Sequence, residues 1–313
     1  MVARTVAVAA ALAALALTAC YESEPATPNP RAWYWNTGPT SADLYDVVDV
    51  DASDCWAVGA AGATTGIILH YTGYYWTVDD ALPEEGVPPL YAVDALADGT
   101  AWAAGGGDYF VYRQLGEWKR WPHPAPGTDI YGLALVSASE GWAVGEGGAI
   151  FRFTNGSWAA VASPTTAALR RVRALSATSA WAVGDGGTVL RYDGVAWNAV
   201  TSVGTVNLRD LFFSADNDGW VVGEGALLGH WDGTAWMGHP GPGGGVNYLC
   251  CTFAAADAGW AGGDKTLIAQ YNGDVWSAVE NLPSGGWTLT AMHAVSNHEA
   301  WAVGPNGTIL HYK

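Results

Sequence analysis

Apolar and polar positions along this chain fall into short runs, each closed by turn residues rich in Gly, Asp and Ser. Residues 169–200 are representative: the runs are 169–175, 181–183, 188–192 and 197–200, parted by 176–180, Gly184-Asp185-Gly186-Gly187 and Asp193-Gly194. β-Branched and aromatic residues fill the runs, as a pleated, half-buried surface prefers, and Gly/Asp/Ser clusters reverse the chain between them. Past the first twenty residues no stretch sustains a helical period. The pattern predicts four β-strands in about forty residues.

That unit repeats. Trp-Ala-Val-Gly, or a close variant, begins at Trp56, Trp102, Trp142, Trp181, Trp220, Trp260 and Trp301, at intervals of 46, 40, 39, 39, 40 and 41 residues. Twelve positions before each stands Leu44, Leu90, Ile130, Leu169, Leu208, Tyr248 or Leu289. Sixteen positions after stands a second Trp in five units (Trp118, Trp158, Trp197, Trp236, Trp276); the first unit, lengthened over 59–66, reaches Trp76. Four strands at a forty-residue period describe a propeller blade. The expected fold is all-β, a seven-bladed β-propeller with four antiparallel strands per blade.

The termini sharpen the expectation. The seventh unit stops at Lys313, where its outer strand should follow, whereas Trp33 stands eleven residues before Leu44. Outer Trp158 and Trp197 likewise precede Leu169 and Leu208 by eleven. The segment at Trp33 should therefore complete the last blade and close the ring, which removes two free sheet edges. Repeated Trp then serve to glue blades that share no single core.

Three segments follow: 1–20, a targeting segment; 21–31, a Pro-rich tether; and 32–313, the propeller. Residues 6–17 form an apolar run behind Arg4, too short to span a bilayer. Its end, Leu17-Thr18-Ala19-Cys20, resembles the lipobox of bacterial lipoproteins. That resemblance implies lipid on Cys20, an extracytoplasmic protein held to the membrane through it, and, with Tyr21 next, an outer-membrane destination.

Composition adds two constraints. A net charge of −17 with only 14% charged residues argues against a polyphosphate partner such as nucleic acid. Besides Cys20, Cys55, Cys250 and Cys251 lack metal-binding spacing and are expected to be small buried hydrophobes, a vicinal Cys250–Cys251 disulfide being the alternative. No metal or cofactor is expected.

Candidate chemistry lies at the channel mouth. The residue after each leading apolar position is Tyr45, Tyr91, Tyr131, Arg170, Arg209, Leu249 or Thr290, with Asp46, Arg171 and Asp210 one step further. Tyr45, Tyr91, Tyr131, Arg170, Arg171 and Arg209 are the expected ligand-binding rim, with Trp287 as an exposed aromatic beside it. Glu146, Asp185, Glu224 and Asp264 occupy turns on that face. Loops at 79–89, 122–129 and 237–247 could shape the surface. His70, His230 and His311 share one repeat position with Arg152, Arg191 and Gln270, the mark of a structural hydrogen-bonding slot.

The unit Trp-Ala-Val-Gly-x-Gly-Gly-Thr-x-Leu-x-Tyr-Asp-Gly-x-x-Trp at 181–197 resembles BNR/Asp-box-like propeller repeats, of WD40/YVTN-like architecture. Similar repeats occur in sialidase-like domains and photosystem II assembly factors. Asp193-Gly194, Asp232-Gly233 and Asn272-Gly273 depart from the strict Ser-x-Asp-x-Gly-x-x-Trp box, and no sialidase arginine triad can be placed. The resemblance therefore implies a fold rather than an activity. The expected function is a non-catalytic cell-envelope lipoprotein whose propeller face binds protein or glycan, in a scaffold, assembly or adhesion role. The alternatives are a secreted glycosidase or lyase using carboxylates such as Glu146 and Asp185, and a purely structural surface component.

Overall fold

The computed structural model describes residues 31–313, except 81, 83–85 and 123–125. Cys20, the targeting segment and residues 21–30 of the tether lie outside the described residues, as do parts of the loops at 79–89 and 122–129.

Seven antiparallel four-stranded sheets form a seven-bladed propeller. Blades 1 to 6 span 43–78, 90–121, 130–160, 169–199, 208–238 and 248–278. Blade 7 combines Ala291–Ser296, Glu299–Gly304 and Thr308–Tyr312 with the N-terminal strand Trp33–Trp35. Trp33 pairs with Tyr312, Tyr34 with His311 and Trp35 with Leu310, so the terminal strand closes the ring as the offsets required. In blade 4 the strands are Leu169–Ser176, Ser179–Gly184, Val189–Tyr192 and Trp197–Ala199. Each lies within two residues of its sequence-derived bounds.

Tryptophan explains how the blades cohere. The second-strand Trp of each blade meets the outer-strand Trp of the next nearly at right angles. Trp56 meets Trp118 at 5.5 Å, Trp102 meets Trp158 at 5.5 Å, and Trp142 meets Trp197 at 5.1 Å. The series continues with Trp181–Trp236 (6.1 Å), Trp220–Trp276 (5.3 Å) and Trp260–Trp33 (6.1 Å), and returns through Trp301–Trp76 (5.2 Å). Edge-to-face packing sets the positive rim of one indole against the negative face of its partner, contributing about 0.5–1.5 kcal/mol per pair beyond burial. Among the described residues several of these buried indole N–H groups have no oxygen or nitrogen acceptor, Trp142 and Trp197 included. A neighbouring ring face is a weak substitute acceptor.

The motif's glycine answers a different demand. A Cβ on Gly184 would lie 2.1 Å from the Ala168 carbonyl oxygen, because the inner strand crosses directly over it. Its equivalents from Gly59 to Gly304 show clearances of 1.9–2.4 Å to the matching carbonyl. The next residue's N–H bonds that same carbonyl, as in Asp185 N to Ala168 O at 2.9 Å. Close backbone approach leaves room for glycine alone.

The inner strands are stitched around the channel by side chains. Asp46 Oδ2 accepts from Val93 N at 3.0 Å, and Asp210 Oδ2 from Cys251 N at 2.9 Å. A second tier runs from Leu135 N to Asp94 Oδ2 at 2.6 Å and from Ala294 N to Thr252 Oγ1 at 3.0 Å. It continues from Asp49 N to His293 Nδ1 at 3.1 Å across the closing seam. Cys55, Cys250 and Cys251 are buried free thiols.

Candidate functional site

Tyr45, Tyr91, Tyr131, Arg170 and Arg209 occupy equivalent positions on consecutive inner strands, and the ring brings them side by side. Tyr45 and Tyr91 lie 5.5 Å apart between ring centroids, and Tyr91 and Tyr131 5.7 Å. The Arg170 guanidinium continues the arc, 4.8 Å from the Tyr131 ring. All five side chains are half-buried. Burial raises the pKa of each tyrosine, with a further upward push from Asp43 on Tyr45 and from Asp129 on Tyr91 and Tyr131. They present neutral phenols.

The arginines are held by the neighbouring turns. Arg170 Nε and Nη2 lie 2.9 and 2.5 Å from the two Asp185 oxygens, a forked pair. Arg209 Nη2 bonds Glu224, whose other oxygen accepts from Asn207 Nδ2 at 3.1 Å. Hydrogen bonds from Arg170 lower the Asp185 pKa, and those from Arg209 and Asn207 lower that of Glu224. Asp264 accepts from Asn247, through its backbone N at 3.0 Å and its Nδ2 at 2.9 Å. These turn carboxylates are largely engaged within the chain, and the arc offers aromatic faces and guanidinium edges. Further round the ring, Thr290 Oγ1 donates to Leu44 O at 2.7 Å, and Leu249 is half-buried.

Arg171 and Trp287 do not join this arc. Arg171 turns into the channel, its side chain 16% exposed, with Nη1 2.8 Å from Asp46 Oδ2 and Nε 3.2 Å from Asp210 Oδ1. The register shift between Leu169 and Arg171 leaves Arg170 without a cross-strand partner on the next strand, whereas Arg171 pairs with Val183 and enters the channel. Trp287 is only 5% exposed, against the expectation of an exposed aromatic. It packs with Cys250, Ile268 and Leu289 between blades 6 and 7, and its Nε1 donates to Pro283 O at 3.0 Å.

Below Arg171 the channel holds a cavity of about 70 Å³ lined by Asp94, Arg173, Phe212, Thr252 and His293. Sequence reasoning missed this lower tier. Its signal is the fourth residue after the leading apolar one, where Asp94, Arg173, Thr252 and His293 all fall.

The shared histidine position is structural. His70 stacks on Trp56 at 3.8 Å and bonds Asp54 at 2.8 Å; His311 stacks on Trp301 at 3.8 Å, 3.3 Å from Glu299. Arg152 lies over Trp142 at 5.1 Å and bonds Glu140. Among the described residues no three His, Cys, Asp or Glu side chains converge as a metal ion would need.

No family model and no curated protein matches this sequence. Solved structures match its fold. One, described as YCF48 bound to D1 peptide, has a TM-score of 0.75 at 17% identity, covering 91% of this chain and 95% of that one. Virginiamycin B lyase from Staphylococcus aureus has 0.75 at 14%, covering 90% and 98%. The WD40 propeller domain of Doa1 has 0.71 at 12%, covering 90% and 97%. At such identities the likeness is one of fold.

Proposed function

We propose that this chain is an extracytoplasmic lipoprotein, anchored through Cys20 in the outer membrane, whose propeller binds an extended segment of a partner protein along the Tyr45–Tyr91–Tyr131–Arg170–Arg209 arc. One observation carries the reading: three neutral phenol rings spaced 5.5 and 5.7 Å apart lead directly into a pre-oriented guanidinium. Rigid aromatics supply contact area at low entropic cost, and arginine adds directed hydrogen bonds. The repeat requires neither residue type there, since Leu249 and Thr290 fill the same position.

Two further points support it. A solved propeller of this fold is described as holding a peptide. Trp33–Trp35 runs from Ala32, beside Lys313, toward Leu310 and the turn at 305–307, which lies on the rim face. The chain therefore enters the propeller at Ala32, on the face away from the arc. The BNR/Asp-box-like reading of the repeats belongs to the same proposal. A general acid needs a pKa raised toward neutrality, and the lowered pKa of Asp185 and Glu224 disfavours that role for them.

Panning a displayed library of random decapeptides against the purified protein tests the site. Enriched peptides should bind at least about tenfold more weakly to Tyr91→Ala and Arg209→Ala, a loss of ~1.4 kcal/mol or more. Equal binding to both variants would remove the arc as the site. Metabolic acyl labelling lost in Cys20→Ser, followed by membrane fractionation, tests the anchor and its location.

A further inference from the structure

Outside the tyrosine arc, the same face carries a hollow of about 260 Å³ where the blade 6–blade 7 connection meets the N-terminal strand. Trp35, Gly285, Gly286, Trp287, Asn306 and Thr308 line it. Its two tryptophans are ones the repeat does not call for. The positions equivalent to Trp35 hold Val78, Arg120, Ala160, Ala199, Gly238 and Ala278, and those equivalent to Trp287 hold Ala42, Pro88, Thr128, Ala167, Val206 and Val246. Trp287 is drawn inward between the blades, but Trp35 remains 49% exposed, unlike its neighbour Trp33 at 2%.

The hollow is fixed rather than loose. Trp35 Nε1 donates to Ser284 O at 3.3 Å, which sets the plane of its ring. Gly285 has φ +133°, and a Cβ there would lie 3.6 Å from Trp35 Cζ2 and 3.5 Å from Trp287 Cδ1. Glycine thus keeps open the space between the two indoles, and a Cβ on Gly286 would meet nothing within 4 Å.

We infer that this hollow is a binding site for a neutral saccharide, distinct from the protein-binding arc and independent of that reading. The ligand class follows from the lining. Among the described residues no charged side chain lines the hollow, although the chain carries a net charge of −17. A charged ligand would be desolvated there without a counter-charge. An indole face offers the C–H side of a pyranose a flat apolar platform, while the ring hydroxyls both donate and accept. Asn306 meets the second requirement: its backbone N is committed to Asp43 Oδ1 at 2.9 Å, and its side-chain amide has both donors and an acceptor to offer. Thr308 Oγ1 donates to Pro305 O at 2.7 Å, which leaves its lone pairs to accept. A proline ring would stack equally well on Trp35 but has no hydroxyls for these two groups. A volume of 260 Å³ accommodates one sugar ring.

The test uses the purified full chain, titrated calorimetrically and by Trp fluorescence with glucose, galactose, N-acetylglucosamine, their disaccharides and a hexaproline peptide. At least one saccharide should bind with one site per chain and change the Trp emission. Trp35→Ala should weaken it at least about tenfold, as loss of a stacking platform does. Gly285→Val should block it, and Tyr91→Ala should leave it unchanged. Because Trp35 is half exposed, Trp35→Ala should melt with the parent, which separates lost binding from lost fold. The inference is overturned if no saccharide binds, if hexaproline binds in their place, or if Trp35→Ala binds like the parent.

Discussion

Arg171 of blade 4 and Asp46 of blade 1 meet across the channel, Nη1 to Oδ2 at 2.8 Å. They stand three blades apart, nearly opposite in a ring of seven. Asp210 of blade 5 holds the other edge of the guanidinium. Both carboxylates also accept backbone N–H groups, Asp46 from Val47 and Val93, Asp210 from Leu211 and Cys251. The channel is thus bridged by a hydrogen-bonded ionic network. The buried acids push the Arg171 pKa up against the opposing effect of burial, so its charge is permanent.

Removing that charge should be costly. Arg171→Met leaves two carboxylates facing each other in the channel, and breaking a buried pair costs about 3–5 kcal/mol. Denaturant unfolding should show that loss, whereas Asp46→Asn/Arg171→Met/Asp210→Asn should recover a large part of it. Arg209→Ala, with its 28% exposed side chain at the rim, should change stability by less than ~1 kcal/mol.

The closing strand makes a second prediction. Trp33 is buried against Trp260 and Tyr312, so Trp33→Ala should destabilise by about 3–5 kcal/mol. A double-mutant cycle with Trp260→Ala should give a coupling of ~0.5–1.5 kcal/mol, the share owed to the edge-to-face pair. A coupling of zero would mean that the two indoles contribute only by independent burial.

The motif's glycine gives a third, in paired form. Gly184→Ala forces a methyl to within 2.1 Å of the Ala168 carbonyl oxygen, and the inner strand can yield only by breaking its register. The cost should be ~1–3 kcal/mol or more, read from the urea midpoint. Gly244→Ala meets nothing within 4 Å and should fall within about 0.5 kcal/mol of the parent.

Architecture was legible in the sequence because every unit must satisfy the same neighbours. The Trp offsets record an inter-blade contact, the Gly a backbone crossing, and the missing outer strand a closure; each recurs and so stands out. The Tyr45–Tyr131 arc was legible for the same reason, since equivalent positions on adjacent inner strands must be adjacent in space. What departs from the repeat was not legible. Trp287 sits in a connection whose path is set by local packing, and its irregular position suggested exposure where the fold buries it. Arg170 and Arg171 are adjacent arginines, and which of the two faces the channel depends on the bulge between Leu169 and Arg171. The pairing of Arg171 with Asp46, 125 positions earlier, follows from ring size rather than from any local signal.

The last prediction concerns pH. His311 is buried against Trp301 and Tyr71, and burial lowers its pKa from 6.5 to about 4. The unfolded chain therefore binds the proton more readily than the folded one between those values. Since stability rises with pH wherever the unfolded state holds more protons, His311 contributes stability that is full above pH 6.5 and is lost as pH falls toward 4. The size is on the order of 3 kcal/mol. Glu299, 3.3 Å away, has its pKa raised by burial first and by Asp49 and Asp51 next, so its contribution runs the other way and falls as pH rises. The two partly cancel in the parent protein. The difference between parent and His311→Gln isolates the histidine: urea unfolding from pH 7.5 to 4 should show the parent losing stability relative to the variant on acidification. A constant difference across that range would mean that His311 titrates alike in the folded and unfolded chains.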